Sequence, residues 1–281
     1  MPELTNPRAE RVKAVRALAG RSARRRQGRF LVEGPQAVRE AVRERHVDVV
    51  DVYLTAAADA RHPEIAEHAR ARGLPVQVAS VEVLDAMSLD AQGVVAVALV
   101  PSVALADVLT GSALVAVLAH VRDPGNAGAV IRAADAAGAD AVVLAGDVVD
   151  VHNPKVVRST AGSLFHLPVV TGVSLAEVVD ALHGAGLTVL AADGRGQHDL
   201  DDLLDLVEAA AWDPAAEPVP DLRRPTAWVF GNEAWGLPDA DLAIADAAVR
   251  VPIRGRAESL NLATAATLCL YASSRAQRSR T

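Results

Sequence analysis

The sequence predicts an α/β protein built as two blocks, each an alternation of strands and helices. Three observations predict it. Short apolar runs of strand length, rich in Val, Leu and Ala, alternate with stretches of helical periodicity along most of the chain. Gly and Pro punctuate the joints between them. Of 281 residues, 51% are hydrophobic but only 3% aromatic, so the cores must be layers of small aliphatic side chains. The length admits one large domain or two ordinary ones.

In the first block, Phe30-Leu31-Val32 reads as a strand over 30–33. Gly34-Pro35 then opens a helix over 35–45, because proline suits the first helical turn. The β-branched run over 47–54 is the next strand. Pro63 starts a helix over 63–72 that Gly73 stops. A strand over 75–79, a helix over 81–87 and a strand over 93–100 complete the block. Residues 1–101 form one domain and 102–111 a linker.

The second domain, 112–281, repeats the rhythm. Strands are expected over 114–121, 141–144, 168–170, 188–192, 228–230 and 249–253. Helices are expected over 126–137, closed by Gly138, and over 154–164, 175–183 and 259–276. The more polar segment 194–225 holds one helix, 200–211, and a Pro-rich stretch, and reads as an insertion. No tandem repeat is evident.

Charge is unevenly spread. The net charge is −7, yet residues 1–30 carry nine Arg or Lys and two acids, a local +7 against −14 over the remaining 251 residues. A basic arm on an acidic chain is a nucleic-acid signature, and equally the mark of a solvated, partly disordered N-terminal helix. Two lysines stand against 26 arginines. The one cysteine, Cys269, excludes an internal disulfide and fits a reducing cytoplasm. The longest apolar runs are too short to span a bilayer, and the N-terminus lacks the apolar segment of a signal peptide. The expected localisation is cytoplasmic, without membrane contact. His120, His152 and His166 have no metal-ligand spacing, so no metal site is expected.

Three clusters of glycine and polar residues stand at strand ends of the second domain, where open α/β sheets bind ligands. They are Asp123-Pro-Gly-Asn-Ala-Gly-Ala-Val-Ile-Arg132, Gly231-Asn-Glu-Ala-Trp-Gly-Leu237 and Val251-Pro-Ile-Arg-Gly-Arg-Ala-Glu-Ser-Leu-Asn261. No G-x-x-x-x-G-K-[ST] is present, and Gly125-x-x-Gly128 lacks the first half of a dinucleotide fingerprint. Taken singly, each cluster has a plain reading. Asn126 serves as a helix cap, Arg132 as an exposed helical arginine, Glu233 as a loop acid, and Ser259 and Asn261 as caps of the last helix. Their occurrence together and in this order is harder to dismiss.

The trio PGNAGAVIRAADAAGAD, VFGNEAWGLP and VRVPIRGRAESLNLATAA resembles the three motifs of the SpoU (TrmH-like) ribose 2′-O-methyltransferases, in the SPOUT superfamily. The match runs over about 113–276, and the segment 153–163 also looks like the family. Residues 8–100 resemble, less specifically, the substrate-binding domain that precedes catalysis in many members. The resemblance implies a small N-terminal α/β substrate-binding domain followed by a SPOUT α/β domain whose C-terminal part is a trefoil knot. Pattern alone would suggest a Rossmann-like sheet, since knots are otherwise nearly absent from folds.

The resemblance further implies S-adenosylmethionine held largely by backbone at Gly231, Val251 and Leu260, with Gly231 clearing the way for the cofactor. Arg132 then acts on the ribose hydroxyl, Asn126 orients it, Glu233 closes the pocket towards the substrate, and Ser259 and Asn261 complete it. Arg24, Arg25 and Arg26 are expected to meet RNA phosphate. So is Arg158, which reads as well as a surface helix charge. The expected partner is RNA, ribosomal rather than transfer RNA, with the protein a homodimer. The rivals are a transfer RNA 2′-O-methyltransferase, an inactive RNA-binding module of the same fold, and a dinucleotide-dependent oxidoreductase.

Overall fold

The computed structural model describes residues 3–209 and 219–278. The chain divides into two compact units, Met1–Ser102 with Asp150–His166, and Val103–Val149 with Leu167–Thr281. Residues 150–166, interior to the second domain in sequence, therefore group with the first unit.

The first unit begins with two short helices, α1 (Glu10–Ala17) and α2 (Arg21–Gln27). There follow β1 (Arg29–Glu33), α3 (Pro35–Arg43), β2 (Val49–Leu54), α4 (Ala56–Arg61), α5 (Pro63–Ala71), β3 (Val76–Val78), α6 (Val81–Met87) and β4 (Val94–Leu99). The sheet order is β1-β4-β2-β3, with β4 antiparallel to both neighbours and β2 parallel to β3. Side chains alternate across a strand, and the sequence uses both faces. Phe30, Val32, Val52, Leu54, Ala96 and Ala98 enter one core cluster, while Leu31, Tyr53, Val95 and Val97 enter the other.

The N-terminal arm is no loose tail. Val12, Val15 and Leu18 recur every three residues, one apolar stripe of a helix, and are buried in the second of these clusters. The helix α9 (Pro154–Ser159) and the 3-10 turn Ser163–Phe165 add Val157 and Phe165 to the first. The helix expected over 154–164 is broken there because Ala161 and Gly162 adopt φ of 53° and 104°, outside the helical region.

The second unit holds α7 (Leu105–Leu109), β5 (Leu114–Ala119), α8 (Pro124–Ala137), β6 (Ala141–Ala145), β7 (Val169–Val173) and α10 (Leu175–Gly184). It continues with β8 (Thr188–Ala192), β9 (His198–Asp199), α11 (Leu200–Glu208), β10 (Thr226–Phe230), α12 (Asp239–Leu242), β11 (Ala247–Arg250) and α13 (Leu262–Gln277). All seven strands are parallel, in the order β7-β6-β5-β10-β8-β11-β9. A parallel sheet is covered on both faces, which is why β5, β6 and β10 are buried at every residue. Trp228 of β10 is fully buried, and its indole N–H donates to Ser273 Oγ on α13 at 2.9 Å.

The structure departs from expectation in several places. The 102–111 stretch carries α7, with Leu109 buried. The start of the 194–225 segment is part of the sheet: β9 extends it beside β11, and Arg250 Nη1 donates to Gly196 O at 3.0 Å. Of the helix expected over 200–211, residues 210 and 211 lie outside the described residues. Among the described residues, no helix is long and apolar enough to cross a membrane.

Candidate active site

The C-terminal ends of β8, β10 and β11, adjacent in the sheet, each run into a loop. Together these loops line a half-open cavity of about 490 Å³. Asp193 and Gly194 follow β8, the loop from Gly231 to Gly236 follows β10, and Val251 to Asn261 follow β11. Gly231, Glu233, Val251, Ser259, Leu260 and Asn261 all line the cavity, joined by Asn126 of α8.

Local chemistry holds each in place. Asp123, not Asn126, is the N-cap of α8, its carboxylate accepting from Asn126 N at 2.7 Å. Asn126 sits inside the first turn, and its Oδ1 accepts from Asn261 Nδ2 at 3.0 Å. Asn261 caps α13 with its own Oδ1 while its amide reaches Asn126, so one side chain joins two motifs. Glu233 is exposed and accepts from the Asp123 backbone N–H at 3.3 Å.

The β10 loop closes on itself. Asn232 N donates to Gly236 O, and Gly236 N to Asn232 O, both at 2.9 Å. The buried Asn232 side chain ties the turn down, donating to His120 O and accepting from Ala234 N. A Cβ at Gly231 would lie 2.4 Å from the Gly236 carbonyl carbon and 2.7 Å from Leu237 N. The returning loop by itself excludes a side chain there.

Sequence reasoning missed Asp193 and Arg195. Arg195 donates to Asp193 Oδ1 through Nε at 3.0 Å, to Asp239 Oδ1 at 3.0 Å and to Leu237 O at 3.0 Å, bracing the β8 loop against the β10 loop. Burial alone would raise the Asp193 carboxyl, but hydrogen bonds from the Arg195 side chain and backbone hold it below the usual range. Asp193 is therefore a carboxylate in the cavity wall. Its sequence signal was available: an acid directly after an apolar strand.

The expected cations differ in their surroundings. Arg132 is exposed on α8, six residues and about 9 Å along the axis from Asn126, and does not line the cavity. Arg24 is 4% exposed: Nε and Nη2 bind Asp150 at 3.0 and 2.6 Å, and Nη1 binds the carbonyls of Leu18 and Ala19 at 2.8 Å each. It is a structural arginine, withdrawn from phosphate, whereas Arg25 and Arg26 are exposed. Arg158 is held by Glu33 at 2.7 Å and Asp90 at 2.9 Å, so its charge is already matched.

His120, His152 and His166 each have a neighbouring group in the fold. His152 lies 4.6 Å from the Phe30 ring, centroid to centroid, and burial pulls it down to about 4. His166 lies 3.4 Å from Glu40, and His120 3.4 Å from Asp241. No group of three or more His, Cys, Asp or Glu side chains suited to a metal occurs among the described residues.

Comparison with known proteins meets this geometry. The profile of the SpoU rRNA Methylase family matches residues 113–271, and that of the MRM3-like substrate binding domain matches 9–96. A Bordetella pertussis protein named 23S rRNA (guanosine-2'-O-)-methyltransferase RlmB is 31% identical over 87% of this chain and 96% of its own. The Streptomyces viridochromogenes 23S rRNA (uridine(2479)-2'-O)-methyltransferase is 40% identical over a shorter match, 53% of this chain and 47% of that protein. Among solved structures, the SpoU methyltransferase AviRb from Streptomyces viridochromogenes, in complex with the cofactor AdoMet, superimposes with a TM-score of 0.79. It is 32% identical, with 96% of this chain and 98% of that one covered. By profile, by near full-length similarity and by fold, this chain belongs to the SpoU rRNA methylase family.

Proposed function

We propose that this protein is an S-adenosylmethionine-dependent methyltransferase acting on a ribose 2′-hydroxyl of ribosomal RNA, most nearly 23S rRNA. The observation that carries the reading is the cavity at the ends of β8, β10 and β11, which draws Asn126, Gly231, Glu233, Val251, Ser259, Leu260 and Asn261 together from three distant motifs. The names of the relatives and the substrate-binding profile over 9–96 support the RNA class.

The cavity suits the cofactor on its own features. Ile253 and Leu260 present apolar surface, 39% and 36% exposed, at its lining. Asp193 offers an ionised carboxylate, and Gly194, Gly231, Gly236 and Val251 contribute backbone and small side chains to the wall. When bound, S-adenosylmethionine supplies an electrophilic sulfonium methyl. Gly231, Val251 and Leu260 are assigned to hold it.

A ribose hydroxyl is a weak nucleophile unless its proton is shared and its lone pair aimed. Asn126, fixed by Asn261, is assigned to orient it. Glu233 and Ser259 bound the substrate side. Arg132 carries a guanidinium, a set of donors with no acceptor, so its assigned role is electrostatic stabilisation of the developing alkoxide. In this reading residues 1–101 engage RNA, 102–111 connect, and 112–281 carry out transfer in the cytoplasm. Strand β10, set between β5 and β8 and followed by the loops that wall the cavity, supports the trefoil threading of the family. The exposed Leu268 and Tyr271 of α13 support a homodimer.

The test is methyl incorporation into an in vitro 23S rRNA transcript, with 2′-O-methyl mapping, beside calorimetry of the cofactor. Arg132→Ala is expected to abolish transfer with S-adenosylmethionine affinity unchanged. Joint loss of both would remove Arg132 from the reaction. Cofactor binding by the native protein without transfer to RNA would favour an inactive binding module.

A further inference from the structure

We propose that Trp235 is a base-stacking platform at the rim of the cavity, seating a nucleobase of the RNA next to the ribose to be methylated. The inference rests on the RNA methyltransferase reading. The chain has three tryptophans. Trp228 is fully buried and Trp212 lies outside the described residues, whereas Trp235 is 53% exposed, in a protein whose aromatics total only 3%. An indole left open to water in so aromatic-poor a chain contributes nothing to the core.

Its setting is stiff. Trp235 sits in the turn closed by the paired Asn232 and Gly236 backbone bonds, with Gly236 at φ +68° and the next residue, Leu237, anchored at 1% exposure. The neighbours on both sides, Ala234 and Gly236, line the cavity while Trp235 does not, which sets the indole at its edge. The Arg122 guanidinium lies over the ring, 5.4 Å from its centroid, and is itself held by Asp147 at 2.5 Å. A cation backing one face polarises the ring and leaves the other for a planar partner.

The chemistry selects that partner. Glu233 and Asp123 flank the same turn and repel phosphate, and the charge of Arg122 is matched by Asp147. What this rim accepts from RNA is the uncharged face of an unstacked base, the feature proteins read in single-stranded RNA. Stacking tolerates any base, so Trp235 sets position more than sequence.

The test compares native protein with Trp235→Ala, Trp235→Phe and Arg122→Ala, using a fluorescein-labelled 23S rRNA transcript. Anisotropy gives RNA affinity, methyl transfer gives kcat and KM, and calorimetry gives cofactor affinity. Trp235→Ala is expected to weaken RNA binding and raise KM by about tenfold, with kcat at saturating RNA and cofactor affinity close to native. Trp235→Phe should restore most of the loss, and Arg122→Ala should show a smaller one. RNA affinity unchanged in Trp235→Ala overturns the proposal, as does a change in sedimentation mass alone, which would make the indole a subunit contact. The binding arm stands apart from turnover. A native protein that binds RNA through Trp235 yet transfers no methyl would sink the functional reading and leave the base-stacking contact alone standing.

Discussion

Replacing Arg24 with alanine separates what three adjacent arginines do. The Arg24 guanidinium makes four hydrogen bonds, two to Asp150 and two to the carbonyls that end α1, from a position 4% exposed. Removing one partner of a buried pair costs about 3–5 kcal/mol, since the other charge stays behind. Asp150 is 19% exposed and regains some water, which puts the loss near the low end, about 3 kcal/mol. For a unit of this size that is roughly a 10 °C drop in melting temperature. Thermal unfolding by circular dichroism reads it. Arg25 and Arg26 are exposed, and replacing both with alanine should leave the melting temperature nearly unchanged. That double variant should instead weaken RNA binding and flatten its salt dependence, by up to roughly 0.7–0.9 in log–log slope for each phosphate the arm no longer neutralises. An Arg24→Ala protein that melts within about 2 °C of native, while its salt slope flattens as in the double variant, would refute the division of roles.

Other outcomes follow from the same structure. Gly231→Ala must push back the Gly236–Leu237 backbone and break the two bonds that close the turn. A loss of about 2–4 kcal/mol, with weakened cofactor binding, is expected, and native stability would mean that the loop yields freely. His152 is held at about 4 against 6.5 by burial beside Phe30, so the unfolded chain takes up a proton in that window that the folded unit refuses. Stability of the first unit should therefore fall as pH drops from 6.5 towards 4, by up to about 3 kcal/mol. A His152→Gln variant should lose that slope, and an unchanged pH curve would clear His152 of it. Ser273→Ala leaves the Trp228 indole N–H without a partner in a fully buried site. Chemical denaturation should report a cost of about 1–3 kcal/mol.

Much of this protein was legible in its order of residues. Strands expected over 30–33, 114–121 and 228–230 were found at 29–33, 114–119 and 226–230, since apolar runs must be buried wherever they go. The three motif clusters were recognisable because each joins residue types that a core cannot use to glycines that a helix does not favour.

What the tertiary structure alone decided concerns partners far apart in the chain. Nothing distinguishes Arg24 from Arg25 and Arg26 in sequence, because burial depends on Asp150, 126 residues away. Arg158 met Glu33 and Asp90 by the same route. At Gly231 the returning backbone of Gly236 leaves no room for a Cβ, a constraint no local pattern shows. Residues 150–166 changed unit because Val157 and Phe165 found their core beside Phe30. Local pattern sets which surfaces must be covered, while long-range packing selects what covers them, and that choice decided which of these charges remained free.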